Sequence, residues 1–417
     1  MLRFSKIGLL AGLFACMQLA SIAQNSTISP YTRFGYGVIA DRSFGAGRSM
    51  GGIGYGLRTS QQINPMNPAS YSSMDSMTFL FDAGATIQLS LINDETNKHR
   101  NINGNLEYLA LQFPVSRNIA LSAGVLPYSH VGYNLYLINE VDDVSHIDNF
   151  SGTGGLNEVY VGASIDIWQK RLALGANVSY VFGNINHQSA VRPGQQLDIL
   201  YTMKKVNLHN LKYDFGVQYT HPLSKTERIT LGMAYAPKIK LNSVSYNMIS
   251  ANQYFLSSII EADTLYNQGF NIPNSAGFGV SYVKDYKLMV AADVSFQDWS
   301  NAQFFGENNR FRNQLKFVAG GEYIPNNFTR AYMSRVRYRA GLHYSNSYLQ
   351  INNSGYKEYG VSIGAGFPML DNRSFVNGSF EYVRIAPEVK SYIHEHYFRF
   401  TLSFTFNERW FYKFKVE

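Results

Sequence analysis

Apolar and polar residues alternate along most of the chain with a period of two. From Phe79 to Leu91 every odd position is apolar, whereas the even positions from Asp82 to Ser90 carry Asp, Gly, Thr, Gln and Ser. From Phe398 to Phe406 the even positions are apolar and alternate with Arg, Thr and Ser. Successive side chains of a strand point to opposite faces, so the pattern predicts strands with one apolar face and one small, polar face.

The pattern divides the chain into fourteen predicted strands. They cover residues 77–91, 104–115, 118–141, 156–168, 171–186, 205–221, 228–248, 274–283, 286–298, 312–325, 332–346, 357–367, 374–386 and 394–406. Connectors after even-numbered strands are short, and those after odd-numbered strands run from about 7 to 25 residues. Short turns at one end and long loops at the other are typical of an all-β transmembrane antiparallel β-barrel of about 14 strands.

Two alternatives stay open at this point. The predicted strands 118–141 and 228–248 are long enough to be hairpins, which gives a range of 14 to 18 strands. A soluble β-sandwich would also alternate, but its strands are shorter and its loops are not sorted by length at the two ends.

Composition favours the membrane barrel. The chain has 30 Tyr, 28 Phe and 35 Gly, and only 16% of its residues are charged, against about 25% in soluble domains. The formal net charge of +7 is small for this length, and Lys and Arg form no long run. We therefore expect no nucleic-acid partner.

The first 23 residues have the features of a signal peptide. Two basic residues in Met1–Lys6 precede an apolar stretch over residues 7–20, and small residues precede the predicted cleavage site between Ala23 and Gln24. Cleavage at Cys16 as in a lipoprotein is the alternative. Because Cys16 is the only cysteine, the mature chain is predicted to have no disulfide, zinc–thiolate site or cysteine nucleophile.

Residues 24–76 do not alternate. They are rich in glycine and contain two Asn-Pro steps, Asn64-Pro65 and Asn67-Pro68, which oppose regular helix and strand. Many apolar side chains argue against a solvated tail. We predict a compact hatch that fills the lumen of a barrel spanning residues 77–417.

These segments carry a resemblance to the FadL family of outer-membrane hydrophobic-compound transport proteins. The Gly-rich run 47–54, followed by Asn67-Pro68-Ala69, resembles the hatch of that family. Further matching stretches are Ile272-Pro273-Asn274, Gly277-Phe278-Gly279, Ala292-Asp293, Asp298-Trp299-Ser300, residues 338–342 and residues 359–364. The resemblance implies a fourteen-stranded barrel with an N-terminal hatch in which Asn67, Pro68 and Ala69 form the hatch motif.

The resemblance also implies a side opening in the third strand. In the FadL family this strand has an inward kink that opens the barrel wall. Pro127-Tyr128-Ser129 interrupts the third predicted strand, where proline removes a ladder hydrogen bond. A turn between two shorter strands is the alternative.

Two further groups are candidate ligand contacts. Arg335, Arg337 and Arg339 share one face of the eleventh predicted strand and must face the lumen, since arginine on the lipid face is costly. There they can hold a ligand carboxylate or pair with acids such as Asp293, Glu322 or Glu381. In the longest outer loop, residues 251–266 include the apolar residues Tyr254, Phe255, Ile259 and Ile260 and either form a short amphipathic helix or pack as a loop over the barrel. The resemblance implies an outer-loop helix that makes an apolar groove for capture of solutes.

Other motifs do not point to chemistry. Gly360-Val361-Ser362-Ile363-Gly364 matches a hydrolase pattern, but its serine lies in the middle of a predicted strand rather than at a strand–helix corner. His394 and His396 have no third metal ligand nearby. No catalytic residue, metal or cofactor is predicted, and we expect the protein not to be an enzyme.

The sequence leaves two functions open. The first is a passive channel in the cell outer membrane that takes up hydrophobic, fatty-acid-like molecules and releases them sideways. The second is a FadL-like barrel that binds a partner as a component of a type IX-like secretion or assembly machine and does not conduct a solute. A continuous apolar tunnel would favour uptake, whereas a filled lumen would favour the partner role. Expected partners are therefore outer-membrane lipids, a hydrophobic solute, the barrel assembly machinery or a secretion component.

Overall fold

The computed structural model describes most of the chain beyond residue 26. The described residues are 27–93, 98–141, 144–168, 170–191, 199–253, 256–307, 309–327, 329–370, 372–389 and 391–409. The predicted signal peptide, and the C-terminal residues from 410 onward, lie outside them.

Fourteen antiparallel strands form a closed barrel within this part of the chain. They are β1 (Thr78–Asn93), β2 (Lys98–Pro114), β3 (Ile119–Val141), β4 (Val144–Ile167), β5 (Leu172–Val191), β6 (Ile199–Pro222), β7 (Glu227–Ala236), β8 (Ser275–Lys284), β9 (Leu288–Gln297), β10 (Gln314–Tyr323), β11 (Arg337–Asn346), β12 (Tyr356–Pro368), β13 (Phe375–Pro387) and β14 (His394–Arg409). Each strand pairs with the next, and β14 pairs with β1 to close the ring. The predicted barrel and its strand number are confirmed.

The two faces of the wall follow the alternation. On β12, Val361 and Ile363 are each 57% exposed on the outside, whereas Ser362 between them is buried inside. Burial of the small polar residue and exposure of the aliphatic ones is the reverse of a water-soluble sheet and is typical of a lipid-facing surface. Among the described residues, no helix is both long and apolar enough to span a membrane.

At the long-loop end the predicted strand boundaries were too short. Residues 98–103 and 144–155 were expected to be loops, but they extend β2 and β4. Beyond the lipid both faces of a sheet meet water, so the alternation fades although the ladder of hydrogen bonds continues. Boundaries predicted from the alternation alone therefore make the strands too short at this end of the barrel.

The seventh predicted strand was wrong beyond residue 236. Pro237 ends β7, because proline has no N–H to donate to a ladder. The chain resumes as Asn242–Gln253, which pairs with the outer part of β6 and with Leu256–Tyr266. We call Asn242–Gln253 and Leu256–Tyr266 the outer hairpin. The amphipathic helix predicted for residues 251–266 was also wrong, because the described residues there form this hairpin and leave no helix.

Residues 27–76, the inner segment, lie inside the barrel. They contain the 3-10 helices Pro30–Arg33 and Pro68–Ser73, the short strand Val38–Ile39, and α1 (Gly45–Arg48). Most of their side chains are buried.

Small residues in the wall make room for the inner segment. A Cβ atom on Gly232 of β7 would lie 1.8 Å from the carbonyl oxygen of Tyr55, and one on Gly341 of β11 would lie 2.1 Å from the carbonyl carbon of Met50. No larger residue fits at either position, so these wall glycines are required for close packing of backbone on backbone.

Candidate functional site

The barrel wall contains a break between β2 and β3. These strands pair over six residues, from Leu109 opposite Val125 to Pro114 opposite Ala120. Beyond Val125, toward the long-loop end, β2 remains paired with β1 and β3 remains paired with β4, but no ladder joins β2 to β3. We call this gap the seam.

The seam begins where the sequence places its strand breaker. Tyr128 is an extra residue in β3, because Pro127 pairs with Asn157 and Ser129 pairs with the next residue, Leu156. Such a bulge bends its strand and increases the local twist. The alternative of a hairpin turn does not apply, since β3 is one strand from Ile119 to Val141.

The inner segment covers the free edge of β3 at the seam. Val38 pairs with His130 and Ile39 with Ser129 in antiparallel register. The amide of Ala40 donates to the carbonyl of Tyr128 at 3.0 Å. Along this part of β3 no ladder with β2 forms, and residues 38–40 supply hydrogen-bond partners for its backbone groups instead.

A second set of bonds extends this cover toward the long-loop end. The amide of Ser29 donates to the carbonyl of Gly132 at 2.8 Å. The hydroxyl of Thr32 donates to the same carbonyl at 2.9 Å and accepts from the amide of Gly132 at 3.2 Å. We call residues 29–40 the seam cover.

Close approach of the seam cover depends on Gly37. Its φ is +88°, and a Cβ atom there would lie 2.2 Å from the carbonyl oxygen of His130. A side chain at this position would therefore both strain the backbone and push the cover away from β3.

A polar cavity of about 210 Å³ lies behind the seam. Tyr128 and His130 line it from β3, and Asn105 and Glu107 line it from β2. Its charged lining is balanced, with five basic and five acidic residues: Arg42, Arg48, Lys212, Lys316, Arg399, Asp41, Glu107, Asp214, Glu358 and Glu381.

Ion pairs across this cavity hold the inner segment to the wall. Arg42 lies 3.0 Å from Glu158 of β4 and 3.0 Å from Asp214 of β6, and Glu158 is fully buried. Arg48 lies 2.9 Å from Glu107 of β2. The inner segment is therefore tied by charge to strands on both sides of the seam.

Asp41 adds a tie to the opposite wall. Its carboxylate accepts from the amide of Ser43 at 2.8 Å and lies 3.5 Å from the ammonium of Lys316 on β10. Burial raises the pKa of Asp41, but the positive charges of Lys316 and Arg48 outweigh burial and lower that pKa to about 2.

An aromatic cluster fills the lumen on the long-loop side of the seam. Tyr36 of the seam cover is fully buried, and its ring packs edge-on against Phe304 with centroids 5.1 Å apart. Trp299, from the Asp298-Trp299-Ser300 motif, lies 5.7 Å from the same ring. Aromatic and aliphatic side chains from the wall and the outer loops complete the cluster. The outer end of the lumen is packed, not open.

Asn67-Pro68-Ala69 fixes the inner segment to β6 and β7. The Asn67 side chain accepts from the amide of Ala69 at 3.2 Å and donates to the carbonyls of Val217 and Met233 at 3.2 and 3.3 Å. Pro68 follows at the start of a 3-10 helix, where its missing N–H costs no hydrogen bond.

The three arginines do not share one strand face. Arg337 and Arg339 point inward from β11 and both reach Glu322, at 3.4 and 2.7 Å. Arg335 belongs instead to α2 (Tyr332–Arg335), one helical turn before β11, and bonds to Asn372. Its predicted place on the strand was wrong, because β11 begins only at Arg337.

The four residues proposed for outer capture divide into two pairs. Tyr254 and Phe255 lie outside the described residues. Ile259 and Ile260 are on the outer hairpin and are 67% and 62% exposed. Both isoleucines are therefore accessible from outside the barrel wall.

Sequence reasoning named Asp293 only as a possible partner of the arginines and missed Arg42 and Asp214, although all three residues fasten the inner segment. Asp293 of β9 accepts from the amides of Gly54 and Tyr55 at 2.7 and 2.9 Å. Asp214 lies between Tyr213 and Phe215, so its charge inside an alternating strand was the available signal for a lumen contact. Its partner Arg42 comes from an irregular segment that offers no such signal.

Ser362 has a structural contact. Its hydroxyl donates to the carbonyl of Ser49 in the inner segment at 3.1 Å. Among the described residues, no group of three or more His, Cys, Asp or Glu side chains is placed to hold a metal ion.

The chain matches the model of a known protein family. The model of the BamG family matches residues 5–417. The chain belongs to the BamG family. Comparison with curated proteins gives no match.

Solved structures share the fold of this BamG-family barrel. The toluene transporter TodX of Pseudomonas putida has 15% identity and a TM-score of 0.64, over 90% of this chain and 100% of TodX. The toluene transporter TbuX of Ralstonia pickettii has 16% identity and a TM-score of 0.61, over 89% and 99% of the two chains. A FadL homologue of Pseudomonas aeruginosa has 14% identity and a TM-score of 0.58, over 89% and 99%. The expected FadL-type fold is confirmed.

Proposed function

We propose that the protein is an outer-membrane channel that passes hydrophobic molecules sideways through the seam, with the inner segment acting as a hatch. The observation that carries this proposal is the end of the β2–β3 ladder at Val125, covered from inside by residues 29–40. The similar folds of TodX and TbuX, both described as toluene transporters, support it.

The height of the seam suits exit into lipid. Six paired residues rise about 20 Å along the strands. Because barrel strands are tilted, this is less than the height of an apolar band about 25 Å tall. The seam therefore opens within the bilayer, where a hydrophobic solute is more stable than in water.

Transport requires the seam cover to move. The cover satisfies the edge of β3, and Tyr36 is part of the packed cluster above it. Detaching residues 29–40 would loosen both the lateral exit and the outer end of the lumen. Fatty-acid-like solutes are our expectation for the cargo, since an acyl chain gains about 0.8 kcal/mol per buried methylene.

Replacing Gly37 with valine tests this gate. The valine Cβ would clash with the carbonyl of His130, so the cover should separate from β3 and uptake of a hydrophobic dye by intact cells should rise. Gly306→Val is the matched control, because Gly306 also has a positive φ of +80° but has open space around it.

Both variants should keep heat-modifiable gel mobility, which reports an assembled barrel. Equal dye uptake in Gly37→Val, Gly306→Val and wild type, with all three assembled, would exclude the seam as a route.

A role in barrel assembly is the second candidate. The name of the BamG family hints at such a link, and a packed outer lumen suits a protein that binds a partner, in assembly or in type IX secretion, more than one that conducts solute. Affinity purification from mildly solubilised outer membranes would decide. Stoichiometric recovery with barrel-assembly components, together with no solute uptake, would favour this role over the channel.

A further inference from the structure

A second cavity, of about 430 Å³, lies at the short-turn end of the barrel. Lys170 lines it from the β4–β5 turn and Lys287 from the β8–β9 turn, while residues 59–62 of the inner segment form its roof. We call it the vestibule. It is separate from the polar cavity behind the seam, with which it shares no lining residue.

The vestibule has a surplus of four positive charges. Its lining contains six basic and two acidic residues: Arg58, Lys170, Arg228, Lys287, Arg337, Arg339, Asp166 and Glu322. The cavity behind the seam, by contrast, is balanced. Like charges gathered at a mouth repel one another, so this surplus destabilises the folded protein unless a ligand neutralises it.

Both acidic residues are already engaged by arginines of the same lining. Arg58 pairs with Asp166, and Glu322 accepts from Arg339 at 2.7 Å and from Arg337 at 3.4 Å. In the part of the chain that the structure describes, Lys170, Arg228 and Lys287 have no ion pair within 4.0 Å. The positive charges of these three side chains are therefore available to bind an anionic ligand.

Arg337 is a further donor. The Nε atom of its guanidinium is buried and has no hydrogen-bond partner within the described residues, although the group packs 4.5 Å from the Phe375 ring centroid. A buried N–H without a partner is costly, and an anionic acceptor would remove that cost.

The spacing of the cations decides the class of ligand. Between the β4–β5 turn and the β8–β9 turn lie three strand-to-strand steps, about 14 Å along the wall. Arg337 and Arg339 on β11 lie two strands further round the ring. A single phosphate can accept from only a few of these cations, whereas several carboxylates along an extended chain can engage all of them.

We propose that the vestibule binds an acidic polypeptide segment of a periplasmic partner. Hydroxyl and amide groups of Thr59, Gln61, Ser73 and Asn327 add neutral hydrogen-bonding groups to the lining. Solute transport through the seam does not need this site, so binding there would be an additional function. The proposal stands whichever of the two proposed functions the barrel has.

Binding of a labelled peptide of alternating Glu and Gly to the purified barrel in detergent tests the proposal. Arg228→Gln/Lys287→Gln should weaken the affinity about tenfold, since exposed charge pairs contribute up to about 1 kcal/mol each. Arg117→Gln/Lys225→Gln is the matched control, because it removes two charges from exposed turns at the same end but outside the vestibule.

Equal affinity in wild type and in the Arg228/Lys287 variant would overturn the proposal. So would displacement of the peptide by inorganic phosphate at equal concentration, or equal binding of an alternating Gln and Gly peptide. Dye uptake measured in the same variants keeps this result separate from the seam, because the proposal expects uptake to be unchanged.

Discussion

At the scale of single residues, charged side chains are the main ties between the inner segment and the wall. Arg42 is bound by two acids from different strands, and Lys212 lies 2.7 Å from one of them, Asp214. When opposite charges are buried together, removal of one of them destabilises the protein, because it leaves the other charge without a compensating partner.

Arg42→Ala should therefore release the inner segment locally. Of the cations now paired with it, Glu158 would keep only Lys212, at 3.4 Å, beside the Ser179 hydroxyl that donates to it at 2.7 Å. The free energy of opening should fall by about 3 kcal/mol. Amide hydrogen exchange over residues 38–45 measures it. Arg310→Ala, which breaks an exposed pair with Glu307, should cost under about 1 kcal/mol. Equal effects of the two substitutions would show that the buried pairs do not hold the segment.

Asp41 makes the attachment sensitive only to strong acid. Because its pKa is lowered from 3.8 to about 2, its stabilisation is fully present above the ordinary pKa and is lost as the pH falls through about 2. Exchange protection of residues 38–45 should be constant from neutral pH down to about 5 and decline below about 4. Asp41→Asn should reduce that decline, and an unchanged decline would assign it to another group.

The residue-scale contacts were only partly predictable. The inward direction of Arg337 and Arg339 follows from the cost of arginine in lipid, and the structure agrees. Their partner, Glu322, was one of three acids considered, because the sequence does not give the register between β10 and β11. The pairing of Arg42 with Asp214 joins residues far apart in sequence through an irregular segment, and no local pattern encodes it.

At the scale of elements, β3 and the seam cover form the unit on which the proposed function depends. Proline marked the position of the bulge in advance, because its missing N–H is a local property of the chain. The strand Val38–Ile39 could not be predicted, since two residues show no periodicity and their partner edge exists only once the barrel has formed.

The outer hairpin is an element with exposed apolar residues. If it captures solutes, Ile259→Ser/Ile260→Ser should reduce the initial rate of dye uptake at least about tenfold, because burial of even one isoleucine by a ligand contributes roughly 1.5–3 kcal/mol. Ser257→Ala/Ser258→Ala, on the same strand, is the control. Unchanged rates at low dye concentration would show that capture occurs elsewhere.

At the scale of the whole molecule, barrel closure was the most predictable feature. Period-two alternation, loop lengths that depend on strand parity, and a low charge content all point to one architecture, and β14 pairs with β1 along its full length. Among the described strands of the ring, closure leaves a free sheet edge at the seam, which the inner segment covers.

The most direct test of the account is to lock the seam cover onto β3. Ile39 and Ser129 are directly opposed, and opposed Cα atoms in antiparallel strands lie about 4.5–5.5 Å apart, which suits a disulfide. Cys16 is the only natural cysteine and lies in the predicted signal peptide, so Ile39→Cys/Ser129→Cys introduces one defined pair.

Uptake of a hydrophobic dye should be measured in this variant before and after reduction, with each single cysteine variant as a control. The account predicts that oxidation abolishes uptake in the double variant alone and that reduction restores it. Uptake at the wild-type rate by the fully oxidised double variant would contradict the lateral route.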